Sequence, residues 1–357
     1  MTQSRLKKAY DLMKKQKINA MIVNKLSNVR YLSGYSGSNG LLVLVPPKAY
    51  FFTDFRYAVQ ARKEVKSCQV FVAERELLSE LVKIDQLKKK IKVGFESIHL
   101  TVKILEKIKE LLPKAVLVPI ENLVEDVAIV KDTTEINKLK KSAKIADNAF
   151  ADILPMLKPG VKERDIALEL HYNMIKQGAD GPSFDFIVAS GQRSSMPHGR
   201  ASDRKFKKGD FITMDYGCFY QGYPSDITRT VVLGKATAKQ KQIYDVVYKA
   251  QMAAIDAARP GIAARELDQV ARDIIMREGY GDNFGHGLGH GLGLNEIHST
   301  PVLSPRSQDI IRVGHAFTIE PGIYIPNWGG VRIEDDVVAT SSGNKVLTKS
   351  PKELIEL

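Results

Sequence analysis

Carboxylates and histidines are concentrated in three segments of the C-terminal half of the sequence. The stretch FGHGLGHGLGLNEIHSTP, residues 284–301, holds three of the seven histidines of the chain. The segments MDYGCFYQGYPSD and IEPGIYIPNWGGVRIE each carry a pair of acids around a glycine-containing turn. Carboxylate oxygens combined with a single imidazole suit hard or borderline divalent cations such as Mn²⁺ or Co²⁺. The residue types therefore indicate a metal site.

The four acids are expected on the arms of two β-hairpins. Asp215 and Asp226 flank the first turn, and Glu320 and Glu334 flank the second. Facing residues of a hairpin lie close enough to share one ligand. A solvated position near a turn is the alternative for any one acid, but a charged carboxylate in an apolar strand is costly unless it is paired or metal-bound. Four carboxylates exceed the needs of one ion and suit two ions with bridging carboxylates.

The alternating glycines around the histidines allow two other interpretations. A phosphate-binding loop is not favoured, because the chain has no GxxxxGK[ST] motif and these glycines do not link a strand to a helix. A flexible surface turn is the second alternative. If the four acids converge on the histidines, the glycines let the backbone pass close to the metal and to a bound substrate.

Composition excludes several classes of protein. The net charge of +12 comes from lysines and arginines at helical spacing, which favours solvated basic faces over a nucleic-acid partner. No apolar run approaches the roughly 18–20 residues that span a bilayer, so no membrane partner is expected. The two cysteines, Cys68 and Cys218, lie far apart and suggest a reducing, cytoplasmic compartment.

The pattern of helices and strands divides the chain near residue 128. Residues 1–128 alternate helical and strand signals, which predicts an α/β domain. Asp132, with Glu135 three residues later, has the form of a capping box and predicts the first helix of a second domain. Residues 129–357 then combine strand-rich segments with further helices and predict an α+β domain with an antiparallel sheet. The helices are expected at 163–177, 238–258 and 264–278.

Taken together, these motifs resemble the pita-bread-fold metallopeptidases, and within them the proline-specific branch of aminopeptidase P and prolidase. The resemblance rests on MDYG(x7)SDITRT, on GHGLGHGLGL with a following histidine and STP, and on TIEPGIYIP with GGVRIEDD. NVRYLSGYSGSNG followed by TDFRY resembles the creatinase-type N-terminal domain of that branch. The resemblance covers essentially the whole chain. It implies a creatinase-type domain over residues 1–128 and a pita-bread catalytic domain over residues 129–357.

The resemblance also implies a metal-ligand set. Two divalent ions are expected in each subunit, with Mn²⁺ preferred and Co²⁺ or Zn²⁺ as alternatives. Asp226 and Glu334 are expected to bridge the ions. The full set of expected ligands is Asp215, Asp226, His290, Glu320 and Glu334.

Further residues acquire roles from the same resemblance. His198, in SSMPHGR, is expected to hold the scissile peptide and the developing oxyanion, and His298 to contact substrate in the same step. His286 is expected to line the pocket, and Arg332 to orient a carboxylate ligand. The expected catalytic residues are His198, His298 and Glu320, and the expected substrate-binding residues are His198, His286, His298 and Arg332.

One spacing departs from the family pattern. Eight positions separate His290 from His298, where seven are usual in the family, and one extra residue turns the following side chains of a strand to its other face. A β-bulge at Asn295–Glu296 is expected to absorb the extra residue and keep His298 facing the site.

The activity implied is hydrolysis of the peptide bond before proline at the amino end of peptides. An Xaa-Pro aminopeptidase is the first expectation, an Xaa-Pro dipeptidase (prolidase) is the alternative, and a non-catalytic peptide-binding module on the same fold is a remote third. The expected partners are peptides with proline at position 2 and a second copy of the chain in a homodimer.

Overall fold

The computed structural model describes residues 2–74 and 76–357. The chain folds into two compact units, Met1–Ala128 and Ile129–Leu357. Within the described ranges, no helix combines the length and the apolar character that a membrane crossing requires.

The first unit alternates helices with the strands of a mixed sheet. Strands β2 (Leu41–Val45) and β3 (Lys48–Asp54) form an antiparallel hairpin, and β1 (Ala20–Val23) pairs antiparallel with β2. Strands β4 (Gln69–Ala73), β5 (Lys92–Glu96) and β6 (Val116–Ile120) extend the sheet by parallel pairing in the order β4-β3-β2-β1-β5-β6. Apolar runs such as LLVLV are buried along their whole length, as expected for a sheet covered on both faces. The elements are α1 (Thr2–Lys15), β1 (Ala20–Val23), α2 (Leu26–Ser33), β2 (Leu41–Val45), β3 (Lys48–Asp54), α3 (Ala58–Glu64), β4 (Gln69–Ala73), β5 (Lys92–Glu96), α4 (Val102–Leu111), β6 (Val116–Ile120) and α5 (Leu123–Ala128).

The second unit opens with the helix that the capping box predicts. The Asp132 side chain accepts hydrogen bonds from the backbone N–H groups of Thr134 and Glu135, at 2.9 and 3.0 Å. The Glu135 carboxylate accepts in return from Asp132 N at 2.9 Å. This prediction is confirmed, and helix α6 spans Thr133–Ile153.

The remaining helices of the second unit end within a residue of their predicted limits. Their bounds are α7 (Glu163–Lys176), α8 (Ala238–Ala257) and α9 (Ala264–Arg277). Helices α8 and α9 pack through residues such as Val247 and Leu267 on a core that includes Phe317 and Val337 of the strands. The hydrophobic core shared with α8 and α9 therefore fixes the position of the strands.

Antiparallel strands contain or flank the four acids expected at the site. The strands are β7 (Gly181–Pro182), β8 (Ile187–Ser190), β9 (Phe211–Tyr216), β10 (Cys218–Tyr220), β11 (Tyr223–Pro224), β12 (Ile227–Val232), β13 (Gly289–Gly293), β14 (Glu296–Leu303), β15 (Ala316–Ile319), β16 (Gly322–Ile325), β17 (Gly329–Arg332), β18 (Asp335–Thr340) and β19 (Gly343–Val346). The sheet orders are β12-β9-β8, β14-β13-β15-β18-β19, β11-β10-β7 and β16-β17.

Candidate metal centre

Two antiparallel strand pairs bring the four acids together. Asp215 lies in β9 opposite Thr228 of β12, and Asp226 immediately precedes β12. Glu320 follows β15 and Glu334 precedes β18, at the ends of two strands that pair with each other. The backbone N–H of Glu334 donates to the Thr228 carbonyl at 3.1 Å and links the two pairs.

His290 faces these carboxylates. Its Nε2 lies 3.4 Å from Asp226 Oδ2 and 3.4 Å from Glu320 Oε1, and ligand atoms of Asp226, His290 and Glu334 all lie within 4.8 Å of one another. Its Nδ1 lies 3.3 Å from the Gly291 carbonyl, which can only accept a hydrogen bond. Nε2 is therefore the ring nitrogen that faces the carboxylate oxygens, and a cation between these groups fits the arrangement.

Buried carboxylate oxygens without hydrogen-bond partners among the described residues also indicate a cation site. Asp215 Oδ1 and Asp226 Oδ1 are buried and have no hydrogen-bond partner among the described residues. Burial raises the pKa of Asp226 well above its ordinary value, and the neighbouring Asp215 and Glu320 raise it further. Burial, followed by the charge of Asp226, likewise raises the pKa of Glu334. Buried polar atoms are normally paired, so this donor set fits divalent cations.

Arg332 holds Asp215 in place. Its Nη2 donates to Asp215 Oδ2 at 2.6 Å, its Nε to Thr228 Oγ1 at 3.0 Å, and its Nη1 to the Tyr324 hydroxyl at 2.8 Å. Arg332 is 3% exposed and lines the cavity of the site, and protein oxygens accept four hydrogen bonds from its guanidinium. This geometry is consistent with the expected role of Arg332, which is to orient the carboxylate of Asp215. The expected contact between Arg332 and the substrate stays a prediction.

Three supporting residues were missed in the sequence. Thr228 Oγ1 donates to Glu334 Oε2 at 2.6 Å. Thr318 Oγ1 donates to Glu320 at 3.2 Å and accepts from His290 N at 3.1 Å. Asp336 accepts from the backbone N–H of Asp226 at 3.1 Å. Each lies two positions from an expected ligand, on the same face of an extended chain, and that spacing is the signal that could have identified them.

The expected histidines line one cavity with the acids. This cavity has a volume of about 580 Å³, within the range of roughly 300–1,000 Å³ that is usual for small-molecule sites. Its walls include every site residue expected from the sequence, together with residues that the sequence reasoning did not single out. The former are His198, Asp215, Asp226, His286, His290, His298, Glu320, Arg332 and Glu334, and the latter include Phe184, Asp185 and Arg200.

His298 reaches the cavity through a strand irregularity. The ladder between β13 and β14 pairs Gly291 with Ser299 and Gly293 with Glu296, so β14 contains one extra residue between these two pairs. The bulge therefore lies between Glu296 and Ser299, slightly beyond the expected Asn295–Glu296. The His298 ring lies 4.3 Å from the ring of His290, centroid to centroid.

His286 is held as a neutral ring at the cavity wall. Its Nδ1 lies 2.8 Å from the Gly287 carbonyl and its Nε2 lies 2.9 Å from the Tyr324 hydroxyl. The Tyr324 oxygen accepts from Arg332 and is therefore free to donate its proton to Nε2. Burial, followed by the charge of Arg332, lowers the pKa of His286 to about 4. Tyr324 thus belongs to the site as well as to the core.

The two units match two family descriptions. Residues 137–341 match "Metallopeptidase family M24", and residues 5–130 match "Creatinase/Prolidase N-terminal domain". The chain therefore belongs to metallopeptidase family M24.

Individual relatives span the whole chain. The Xaa-Pro dipeptidase of Pyrococcus horikoshii is 39% identical over 353 residues, which is 98% of each chain. The solved structure of the Xaa-Pro dipeptidase from Bacillus anthracis matches with a TM-score of 0.96 and 42% identity, over 100% of each chain. The X-Pro aminopeptidase from Thermotoga maritima matches with a TM-score of 0.91 and 34% identity, over 98% of this chain and 99% of the other.

These matches decide several of the expectations. The resemblance to the proline-specific branch of the pita-bread metallopeptidases is confirmed, and so is the fold class, a creatinase-type N-terminal domain followed by a pita-bread catalytic domain. The chain is a metallo-exopeptidase, which sets aside the non-catalytic peptide-binding module. Its family and its donor set both imply divalent metal ions.

Proposed function

We propose that the chain is an Xaa-Pro dipeptidase, which hydrolyses the bond before proline in dipeptides. The metallopeptidase part rests on one observation: buried carboxylate oxygens that have no hydrogen-bond partner among the described residues line the cavity with His290. The names of two full-length relatives support the dipeptide specificity, so the alternative expectation has better support than the first, an aminopeptidase. The Thermotoga neighbour keeps the aminopeptidase as the second candidate.

The five expected ligands would hold the metal. Asp215, Asp226, His290, Glu320 and Glu334 would supply the ligand atoms for two divalent ions. We propose Mn²⁺ as the preferred ion, since carboxylates dominate the set and only one imidazole joins them. When bound, such ions lower the pKa of a water molecule and polarise the substrate carbonyl.

The other residues of the cavity would handle protons and charge. Glu320 would accept the proton of the attacking water and later deliver it to the proline nitrogen. His198 would donate a hydrogen bond to the developing oxyanion, a contribution on the order of 3–4 kcal/mol for a well-placed donor. His298 would contact the substrate in the same step, and the neutral His286 would shape the pocket beside it.

A positively charged side chain in the cavity wall supports specificity for dipeptides, whose proline carries a free carboxylate. Among the lining residues that the structure describes, the arginines are Arg200 and Arg332. Protein oxygens accept four hydrogen bonds from the buried Arg332, whereas the Arg200 side chain is 77% exposed and bonds to Asp185 at 2.6 Å. An exposed ion pair is worth little, so a substrate carboxylate can compete with Asp185 for Arg200. We propose Arg200 as the contact for the proline carboxylate.

The domain roles and the assembly belong to the same proposal. Residues 1–128 would form the creatinase-type domain and residues 129–357 the catalytic domain, and two chains would form a homodimer. A cytoplasmic location is supported by the free cysteines Cys68 and Cys218.

Three substrates test the specificity. Metal-stripped protein reloaded with Mn²⁺ would be assayed on Ala-Pro, Ala-Pro-amide and Ala-Pro-Ala. The proposal predicts cleavage of Ala-Pro, with a lower kcat/KM for the amide, because only the free dipeptide carries the carboxylate. Efficient cleavage of Ala-Pro-Ala would instead establish the aminopeptidase.

The arginine contact has its own variant and control. Arg200→Gln is expected to raise the KM for Ala-Pro by about tenfold, since a charged hydrogen bond is worth on the order of 1.5–3 kcal/mol, and to leave the amide unaffected. The matched control is Arg277→Gln, which removes an exposed arginine of α9 whose Nε donates to the Asp273 carbonyl at 3.2 Å, outside the cavity lining. An equal rise in KM for both substrates would reject a carboxylate contact at Arg200.

A further inference from the structure

The loop that carries His198 is tied at both ends to one buried carboxylate. We call residues 190–204 the His198 loop. Glu163, the first residue of α7, is 0% exposed. Its Oε1 accepts from Ser190 N at 2.8 Å and Ser190 Oγ at 2.7 Å. Its Oε2 accepts from Ser202 N at 3.1 Å and Ser202 Oγ at 2.6 Å. One carboxylate therefore joins residues that are twelve positions apart.

A further cation and the helix backbone complete the attachment. The Arg193 guanidinium donates to Glu163 Oε2, and its other nitrogen donates to the Arg200 carbonyl at 2.8 Å. The first N–H groups of α7, which have no partner within the helix, donate to the loop: Glu163 N bonds the Arg204 carbonyl at 3.0 Å and Arg164 N bonds the Ser202 carbonyl at 3.0 Å.

The loop is also fixed on the side of the metal centre. Arg332 Nη1 donates to the Pro197 carbonyl at 3.3 Å, and Gly330 N donates to Ser194 Oγ at 2.8 Å. Arg332 is the residue that holds Asp215. The position of the backbone at His198 is therefore set between Glu163 on one side and the ligand-bearing strands on the other.

His198 itself has little else to hold it. Its side chain is exposed at the cavity, and the structure gives its ring no hydrogen-bond partner in the described part of the chain. A donor to an oxyanion must be in place before the reaction, because its contribution depends on preorganisation. For His198, the loop backbone is the element that can provide this.

We propose that Glu163 is a positioning residue that fixes the His198 loop in its reactive position. This inference rests on the function proposed for His198. Removing the carboxylate charge leaves the Arg193 guanidinium without its anion, and an amide in its place presents N–H hydrogens to groups that are themselves donors. The loop then loses the bonds that Ser190, Arg193 and Ser202 make to one carboxylate, while Arg204 still donates to Ser190 Oγ and the metal ligands remain unchanged.

Glu163→Gln is expected to lower kcat for Ala-Pro by about 10- to 100-fold, since a displacement of about 1 Å can cost 10²-fold, and to raise its KM as well, because Arg200 lies in the same loop. In a His198→Ala background the same substitution should lower kcat less than twofold, because its effect acts through His198. An equal loss of kcat in both backgrounds would overturn the proposal. A merely structural residue would not show this coupling.

Hydrogen exchange tests the attachment without turnover. Amides of residues 190–204 should exchange at least tenfold faster in Glu163→Gln than in the parent, with no change in the segment 211–232. Unchanged protection of the loop would overturn the proposal, even if kcat fell. Hydrogen exchange needs no substrate, so it tests the attachment of the His198 loop independently of the proposed function. If the protein cleaves no Xaa-Pro peptide, the proposed function is rejected, and the exchange rates still show whether Glu163 fixes the loop.

A milder variant and a control complete the test. Ser202→Ala removes one hydroxyl donor and keeps the carboxylate, so it should fold if Glu163→Gln does not, with kcat lowered about two- to fivefold and faster exchange within 190–204. If Ser202→Ala changes neither kcat nor the exchange rates of residues 190–204, the positioning role of Glu163 is rejected. The control is Glu96→Gln in the first unit, where a buried carboxylate also accepts from two backbone N–H groups. It should leave kcat unchanged in both backgrounds.

Discussion

Two groups of acids in this protein, one in each unit, have opposite surroundings. In the first unit, Glu96 accepts from Asn24 N at 2.6 Å, Lys25 N at 2.8 Å and the Asn28 amide at 2.6 Å. Glu125, beside it, receives the Asn28 amide at 2.8 Å and Lys25 Nζ at 3.0 Å. In the second unit, Asp215 and Asp226 each keep a buried oxygen without a partner in the described chain.

The difference separates a structural acid from a ligand. Burial alone raises the pKa of Glu96 as it raises that of Asp226. At Glu96, however, hydrogen bonds from Lys25, Asn28 and Asn24 oppose the effect, whereas at Asp226 the nearest acids add to it. A buried carboxylate surrounded by donors stabilises the fold, and one surrounded by acceptors fits a cation. Burial by itself does not identify a metal site.

The largest expected effect concerns Asp226, whose buried Oδ1 has no hydrogen-bond partner among the described residues. Asp226→Asn should lower kcat/KM for Ala-Pro by at least about 10²-fold, the loss typical of one preorganised electrostatic contact, and should reduce bound metal. The metal-free variant should be no less stable than the parent, because the substitution removes a repelled charge. Steady-state kinetics with elemental analysis checks the first part, and thermal unfolding in chelator checks the second. Activity within tenfold of the parent would contradict a ligand at Asp226.

Metal addition should stabilise the parent and not this variant. A ligand that binds only the folded state, at a free concentration of about 100 times its Kd, stabilises by roughly 2.7 kcal/mol. The unfolding transition of the parent should therefore rise in Mn²⁺ and return in chelator, while Asp226→Asn should shift much less. Scanning fluorimetry over a Mn²⁺ titration measures both. Equal shifts in the two proteins would place the stabilising ion elsewhere.

The structural acid should show the opposite pattern. Glu96→Gln keeps one carbonyl oxygen for the two backbone N–H groups, which share Oε2, but its amide nitrogen then faces the Asn28 amide donor, and an unsatisfied buried group costs about 1–3 kcal/mol. We expect a lower denaturation midpoint in urea, with kcat for Ala-Pro within twofold of the parent at a temperature where both are folded. A fall in activity without a fall in stability would break the distinction between the two groups of acids.

The sequence predicted the fold through local signals and the site through residue types. Helix α6 begins where the capping box requires, and the four acids flank the turns that place them on paired strands. These features were predictable because each depends on residues within one segment. The family resemblance then extended the prediction to the whole chain.

What the sequence did not predict depends on contacts between distant segments. The bonds from Arg332 to Pro197 and Asp215 cross more than a hundred residues, as do those between Thr228 and Glu334. Glu163 is the first residue of an amphipathic helix, and its sequence gives no sign that it binds the His198 loop. Only the folded chain brings these residues together.

The smallest expected effect concerns His315. Its buried imidazole lies near the positive charges of Lys131 and Arg312, whereas the imidazole of His290 lies beside carboxylates. His315 is 2% exposed, its Nδ1 accepts from Arg312 N at 3.3 Å, and its Nε2 is buried with no partner in residues 2–74 and 76–357. Burial, followed by the charges of Lys131 and Arg312, lowers the pKa of His315 to about 4, while Asp309 opposes them. The folded state therefore keeps this ring neutral.

The sign of the pH effect follows from that lowered pKa. Below about pH 6.5 the unfolded chain protonates this histidine, whereas the folded chain does so only near pH 4, so folding loses stability as the pH falls between these values. His315→Asn keeps an acceptor for Arg312 N and removes the titration. Urea unfolding of both proteins at pH 7.5 and pH 5 should show the parent losing about 1–2 kcal/mol more than the variant. A difference between the two proteins that stays constant with pH would mean that solvent reaches His315 in the folded state, and its unpaired Nε2 would then be hydrated.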